Sequence, residues 1–289
     1  MDNVLLSQMQ SHADPSQVAG LSRFFKTGRG QYGEGDKFLG IKVPVTRTVV
    51  KKYWNSISVS ELEECIVNDY HEVRLAALLT LVEIFKHAGR KLSGKSRQKS
   101  ISVIDNPTPM SGIANGNPLF TSQSATALTR EDCVQFYLKH TDYINNWDLV
   151  DLSCYNILGE WLLDKDRTLL YDLARNGKTI WEQRIGIVST MSFIRHGQLD
   201  DTFAIADLLL HHSHDLIHKA VGWLLREAGK KDKHALEAYL LGPEPGRRTS
   251  TEGESQHLRY QTMPRTMLRY AIEKFPEAER QAYLSGKAE

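Results

Sequence analysis

At 289 residues, with 41% hydrophobic and 25% charged positions, the chain has the length and composition of one large or two modest globular domains, which excludes wholesale disorder, a collagen repeat and a disulfide miniprotein. Its 36 Lys and Arg against 35 Asp and Glu leave a net charge of +1, so bulk charge neither demands nor forbids a polyanionic partner, and the placement of the cations must decide. No window approaches the roughly 18 uninterrupted apolar residues of a membrane span, and Asp2 stands where a signal peptide needs basic residues, so an intracellular protein of cytoplasm or nucleus is expected. Cys65, Cys133 and Cys154 are odd in number and lie outside any C-x-x-C spacing, which suits small apolar residues in a reducing compartment better than bridges or a zinc site.

In chain order, residues 28–36 (GRGQYGEGD) come first, a glycine-rich run that superficially suggests a phosphate loop. No Walker lysine follows it and no βαβ pattern surrounds it, so nucleotide binding is set aside. Residues 74–85 (RLAALLTLVEIF) give the first strong helical period, with apolar residues at three- and four-residue steps. Residues 89–129 are rich in Gly, Ser, Pro and Asn, open with Arg90, Lys91, Lys95, Arg97 and Lys99, and read as a mobile insertion. Helical periods resume at 144–162, 167–174, 184–194, 202–210 and 215–228; residues 242–262 read as a surface loop, and 264–275 as the last strong helix. No comparable stretch alternates apolar and polar residues, so no substantial sheet is predicted.

HEVRLAALLTLVEIF, WEQRIGIVSTMSFIR, LIHKAVGWLLREAG and TMPRTMLRYAIEKFP each place a basic residue (Arg74, Arg184, Lys219, Arg265) just before a long apolar run, and INNWDLVDLSCYNILGEWL puts Trp147 in that slot. Trp147 to Arg184 is 37 residues and Arg184 to Lys219 is 35, room for two helices each. Such periods predict an all-α fold: a HEAT-like α-solenoid of antiparallel helix pairs, one domain over residues 1–289, with a concave basic surface.

A cation at a helix head opposes the macrodipole, and its recurrence suggests a site for phosphates; pairing with Glu72, Glu182 or Asp215 is the equal alternative. Lys219, Trp223, Arg226 and Lys230 fall at i, i+4, i+7 and i+11, three cations and an indole on one stripe suited to a sugar-phosphate strand. Trp147 and Asp151, four apart behind the capping Asn146, share a face. An unpaired Asp151 among Leu149, Val150 and Leu152 would be costly, and by sequence alone its simplest partner is Arg184 of the next repeat. His211, His212, His214 and His218 cluster, but without an HExxH glutamate or a third ligand they read as surface and cap residues.

Together the blocks FFKTGRGQYGEGDKFLGIKVPVTR, INNWDLVDLS, WEQRIGIVSTMSFIR, HDLIHKAVGWLLREAGKKD and MPRTMLRYAIEKFP resemble the AlkD-type DNA alkylation repair proteins, from about residue 24 to residue 284 apart from the two insertions. The resemblance implies a glycosylase for N3- and N7-alkylated purines in which Trp147, Asp151, Arg184 and Trp223 form the catalytic cleft. The indoles would pack on the deoxyribose, Arg184, Arg226 and Lys230 would hold phosphates, and Arg47 the other strand; Lys219, Arg265 and Phe24 complete the DNA-binding set. The implied partner is double-stranded DNA with alkylated bases, bound by a monomer without metal or organic cofactor. Phe24 stands where the family's active-site Tyr is expected, and residues 28–36 extend the loop before FLGI; both point to the alternative of a structure-selective binder of branched DNA without glycosylase activity.

Overall fold

The computed structural model describes residues 3–95, 124–243 and 258–288. Every regular element among them is helical, and the only pairings of extended backbone are three isolated bridges, Lys37 with Tyr70, Ser58 with Ser124 and Pro243 with Leu258. Two compact units divide the chain, Met1–Tyr143 and Ile144–Glu289.

The first unit comprises α1 (Val4–Ser11), α2 (Pro15–Phe24), α3 (Val43–Tyr53), α4 (Val59–Ile66), α5 (His71–Lys95) and α6 (Arg130–Lys139). Side-chain caps start several of them: Asn3 and Asp14 accept from the first turns of α1 and α2, and capping boxes open α4 (Ser58, Glu61) and α6 (Thr129, Asp132). Residues 71–82 are buried on every side, because α5 packs against α1, α3, α4 and α6. Arg74, read from sequence as a cation at a helix head, is 4% exposed and pairs with Asp36, which also meets His71 at 3.0 Å. Glu72 accepts from the N–H groups of Leu39, Gly40 and Ile41 at 2.9, 2.9 and 3.0 Å, fixing the FLGI turn. Gly40 is obligatory there: its φ is +89°, and a Cβ would stand 1.9 Å from the Asp14 carbonyl oxygen.

The second unit comprises α7 (Trp147–Asp151), a π-helical turn at Tyr155–Gly159, α8 (Thr168–Asn176), α9 (Ile180–Val188), α10 (Met191–Arg195), α11 (Asp200–Leu208), α12 (Asp215–Lys231), α13 (Lys233–Leu241), α14 (Arg259–Thr262), α15 (Arg265–Ala271) and α16 (Glu277–Ser285). α8 packs on α9, α9 on α7 and α12, and α12 on α11, α13 and α15, each pair stacking on its neighbours in sequence as an α-solenoid requires. The tightest approaches use glycine: a Cβ on Gly222 of α12 would lie 2.5 Å from the Met267 carbonyl oxygen of α15.

Several boundaries differ from the sequence expectation. Residues 184–194 do not form one helix: Thr179 starts α9 earlier, and the chain breaks at Ser189 and Thr190, whose hydroxyl donates to the Ile187 carbonyl at 2.7 Å. The long helix expected from Trp147 is likewise interrupted, with Ser153 Oγ donating to the Leu149 carbonyl and Asn156 Nδ2 to the Leu152 carbonyl. Of the two expected loops, Gly89 belongs to α5 and Thr129 caps α6, while Arg259, bidentate on Asp207 at 2.8 and 2.9 Å, anchors a short helix. The rest of those segments, 96–123 and 244–257, lies outside the described residues.

Candidate functional site

The site is built on α7, α9 and α12, all in the second unit. Asn146 Oδ1 accepts the Trp147 N–H at 2.9 Å and starts α7, which ends at Asp151. One turn separates Trp147 from Asp151, so indole and carboxylate leave the helix on one side. Arg184, one turn into α9, meets that carboxylate side-on: Nε donates to Oδ1 at 2.8 Å and Nη2 to Oδ2 at 2.7 Å. Its Nη1 donates to the Leu216 carbonyl in the first turn of α12, 2.5 Å away. One guanidinium thus ties three helices together. The two side chains are 15% and 6% exposed, Asp151 and Arg184 respectively. Burial pushes the Asp151 carboxyl above the ordinary carboxylate range, while the Arg184 charge and its hydrogen bonds pull it back.

The start of α12 is held by imidazoles. His214 is its N-cap and accepts the Leu216 N–H on Nδ1 at 3.2 Å; His212 accepts the His214 N–H on Nδ1 at 3.0 Å and reaches Gln183 Oε1 of α9 through Nε2 at 2.9 Å. His218 Nε2 donates back to the His212 carbonyl. Among the described residues no group of three or more His, Cys, Asp or Glu is arranged to hold a metal ion. The three cysteines are buried free thiols.

Trp223, in the middle of α12, is half-buried, as is Trp147. The cations of its stripe have acidic neighbours, of which the sequence reading named Asp215 but not Glu227 or Glu273. Lys219 pairs with Asp215 at 2.7 Å, Arg226 with Glu227 and with Glu273 beyond α15, and Lys230 with Glu227 at 2.7 Å. Glu182 and Asp215 occupy the first turns of α9 and α12, so Arg184 and Lys219 enter a turn later and the dipole preference is kept rather than broken. Arg265, the first residue of α15, is exposed and donates to the Leu284 carbonyl at 2.8 Å.

The other two expected DNA contacts belong to the first unit. Arg47 is exposed on α3, one turn before exposed Lys51, and neither has an ion pair among the described residues. Phe24, the last residue of α2, is 60% exposed and meets Phe25 edge-on at 5.1 Å. The glycine-rich loop beyond it is closed on itself: the Gly28 N–H is taken by Gln31 Oε1 at 3.0 Å and that of Gly30 by Glu34 Oε2 at 2.7 Å.

Stacked helix pairs that bring a carboxylate and an indole from one helix, a guanidinium from the next and a second indole from a third onto neighbouring positions define an all-helical repeat protein with a polar site between its repeats. The chain belongs to the DNA alkylation repair enzyme family, whose sequence profile matches residues 5–105 and 119–275. Its structure is similar to that of a predicted DNA alkylation repair enzyme from Enterococcus faecalis, with 14% identity and a TM-score of 0.58 over 92% of this chain and 97% of that one. No curated protein sequence gives a significant match. Membership assigns the protein to repair of alkylation damage, with DNA as its partner. No helix among the described residues is long and apolar enough to cross a membrane.

Proposed function

We propose that the protein is a DNA glycosylase that hydrolyses the glycosidic bond of N3- and N7-alkylated purines in duplex DNA. The observation that carries this reading is the Asp151 carboxylate, largely buried and met side-on by a guanidinium. An N-alkylated purine is cationic and already a good leaving group. As the bond between C1′ and the base nitrogen breaks, its electron pair leaves with the base, which becomes neutral, and positive charge passes to the sugar. A carboxylate beside C1′ stabilises that charge, orients water for attack, and takes the proton the water sheds. Trp147 and Trp223 would pack on the deoxyribose and add cation–π stabilisation.

Arg184, Arg226, Lys230, Lys219 and Arg265 are assigned to phosphates of the damaged region, and Arg47 with Phe24 to further contacts along the duplex. The acidic partners of Lys219 and Lys230 do not oppose this. Solvent-exposed ion pairs such as those of Lys219 and Lys230 stabilise by only about 0–1 kcal/mol, so a phosphate can replace the carboxylate there at little cost.

A second reading, a structure-selective binder of branched DNA without base release, is favoured by the exposed ring of Phe24, which lacks the hydroxyl of a tyrosine. Chromatography of bases freed from alkylated duplex separates the two. Release of 3-methyladenine or 7-methylguanine, reduced at least about 100-fold in Asp151→Asn with duplex binding retained, supports the glycosylase. Tight binding to branched DNA with no base released overturns it.

A further inference from the structure

We infer that the turn carrying His212 and His214 is a positioning device for Asp151, holding Arg184 on the carboxylate only while both imidazoles are neutral. The inference rests on the glycosylase reading for its consequence, but not for its geometry. Arg184 has three anchors: the two oxygens of Asp151 and the Leu216 carbonyl. Leu216 is held by the N-cap of α12, and that cap is His214. His212 in turn fixes His214 through the backbone and fixes α9 through Gln183, the residue beside Arg184. The route from imidazole to carboxylate is therefore continuous: His212, His214, the Leu216 peptide, Arg184, Asp151.

The stereochemistry makes the device sensitive to protons. Each ring accepts a backbone N–H on Nδ1, so each is the neutral tautomer with its proton on Nε2. A protonated imidazole has no lone pair to offer and cannot cap. Helix N-caps are ordinarily Ser, Thr, Asp or Asn, which do the same work without titrating near neutrality, so histidine at this position brings a titratable cap. The charged and titratable groups around the turn are His211 within it, Asp215, His218 and Lys219 on α12, Arg184 on α9 and, through it, Asp151 on α7. Burial holds His212 and His214 below the ordinary imidazole value; His218 and Lys219 press the same way on His214 while Asp215 opposes. The neutral, capping form thus dominates at pH 7, and protonation below the ordinary value releases the cap.

The test uses the whole chain and two readouts. The first is NMR of the DNA-free protein, following the Arg184 Nε–H, identified by its loss in Arg184→Met, through its exchange with water relative to free arginine. In the wild type its protection is expected to fall about fivefold between pH 7 and pH 5, the equivalent of a lost cap at ~1 kcal/mol. His214→Ala should lack that protection at both pH values. His214→Ser and His212→Asn, which keep an acceptor in place without titrating, should together retain it at both. Protection in His214→Ala equal to that of the wild type overturns the inference, as does an identical pH dependence in the non-titrating double variant. The second readout is single-turnover release of 7-methylguanine with duplex affinity measured alongside. His214→Ala is expected to slow release about fivefold with affinity within about twofold, and His214→Ser to restore it. A protein that releases no base while the NMR result holds sinks the glycosylase reading alone; a loss of affinity in place of rate sinks the positioning role.

Discussion

Replacing Arg184 by Met removes the only cation that pairs with Asp151 among the described residues, and the cost follows from what is left behind. A carboxylate 15% exposed loses both of its side-on donors, and the Leu216 carbonyl loses its guanidinium partner. Breaking one member out of a buried pair typically costs about 3–5 kcal/mol. Burial already raises the Asp151 carboxyl, so the orphan takes up a proton readily, and we expect the low end, about 3 kcal/mol. Asp151→Asn keeps an acceptor for one of the two N–H groups that met the carboxylate and strands the other, at about 2 kcal/mol. In the double variant nothing charged is orphaned, so its cost should be about 3 kcal/mol rather than the sum, a coupling of about 2 kcal/mol. Urea unfolding of the four proteins at pH 7.5, read as midpoints at constant slope, measures this directly. The Arg184→Met penalty should also shrink as pH falls, since burial raises the orphaned carboxyl and favours its protonation. Additive single costs, with coupling below about 0.5 kcal/mol, would falsify the claim that these groups depend on one another.

Gly222→Ala should destabilise by about 1–3 kcal/mol in the same assay, because overpacking against the Met267 carbonyl at 2.5 Å outweighs the roughly 1 kcal/mol of helix propensity gained; unchanged stability would mean that α15 moves away freely. Removing the carboxylates beside the α12 cations, with Glu227→Gln and Glu273→Gln together, should tighten duplex binding about threefold to fivefold in fluorescence anisotropy at low salt, whereas weaker binding would take Arg226 and Lys230 out of the interface. Burial lowers His140, His212 and His214 in the folded state, so the unfolded chain binds more protons near pH 6. Stability is therefore present above the unfolded imidazole value and is lost as pH falls through it toward the folded values. Urea midpoints should drop from pH 7 to pH 5, and a midpoint flat across that range would contradict the neutral tautomers assigned to these rings.

The helical architecture was legible because burial writes itself into spacing. Ile217, Ala220, Val221, Leu224, Leu225 and Ala228 fall at the three- and four-residue steps of one face of α12, and all are buried. The Asp151 to Arg184 pairing could be read as well, since an unpaired carboxylate among apolar residues needs a cation and the next repeat supplied one. Contacts made across long sequence separations could not. Glu273 lies 47 residues beyond Arg226, and only the packing of α12 on α15 brings them together, so this pairing was hidden where that of Lys219 with Asp215 was not. Helix breaks at Ser189 and Thr190 were hidden for a different reason: the apolar period runs straight through them, and a Thr190 hydroxyl bonding back to the Ile187 carbonyl leaves no periodic mark.

In the proposed reaction one guanidinium would serve both the fold and the chemistry. Arg184 spends three N–H groups, two on Asp151 and one on Leu216, and a guanidinium carries more donors than that. On the proposed reading a phosphate would use these remaining donors, reaching a side chain 6% exposed, without first breaking the pair. The arriving anion weakens the pull of Arg184 on the carboxylate and raises the demand for a positive neighbour, which in the proposed reaction is the sugar as the base departs. A lysine at this position would lack the planar fork, and with it the ability to hold carboxylate, carbonyl and phosphate at once. Arg184→Lys should accordingly fold more stably than Arg184→Met, since the charge is kept, yet release base as poorly, since the fork is lost. A lysine variant with wild-type release rates would show that charge alone is sufficient and that the side-on geometry is incidental.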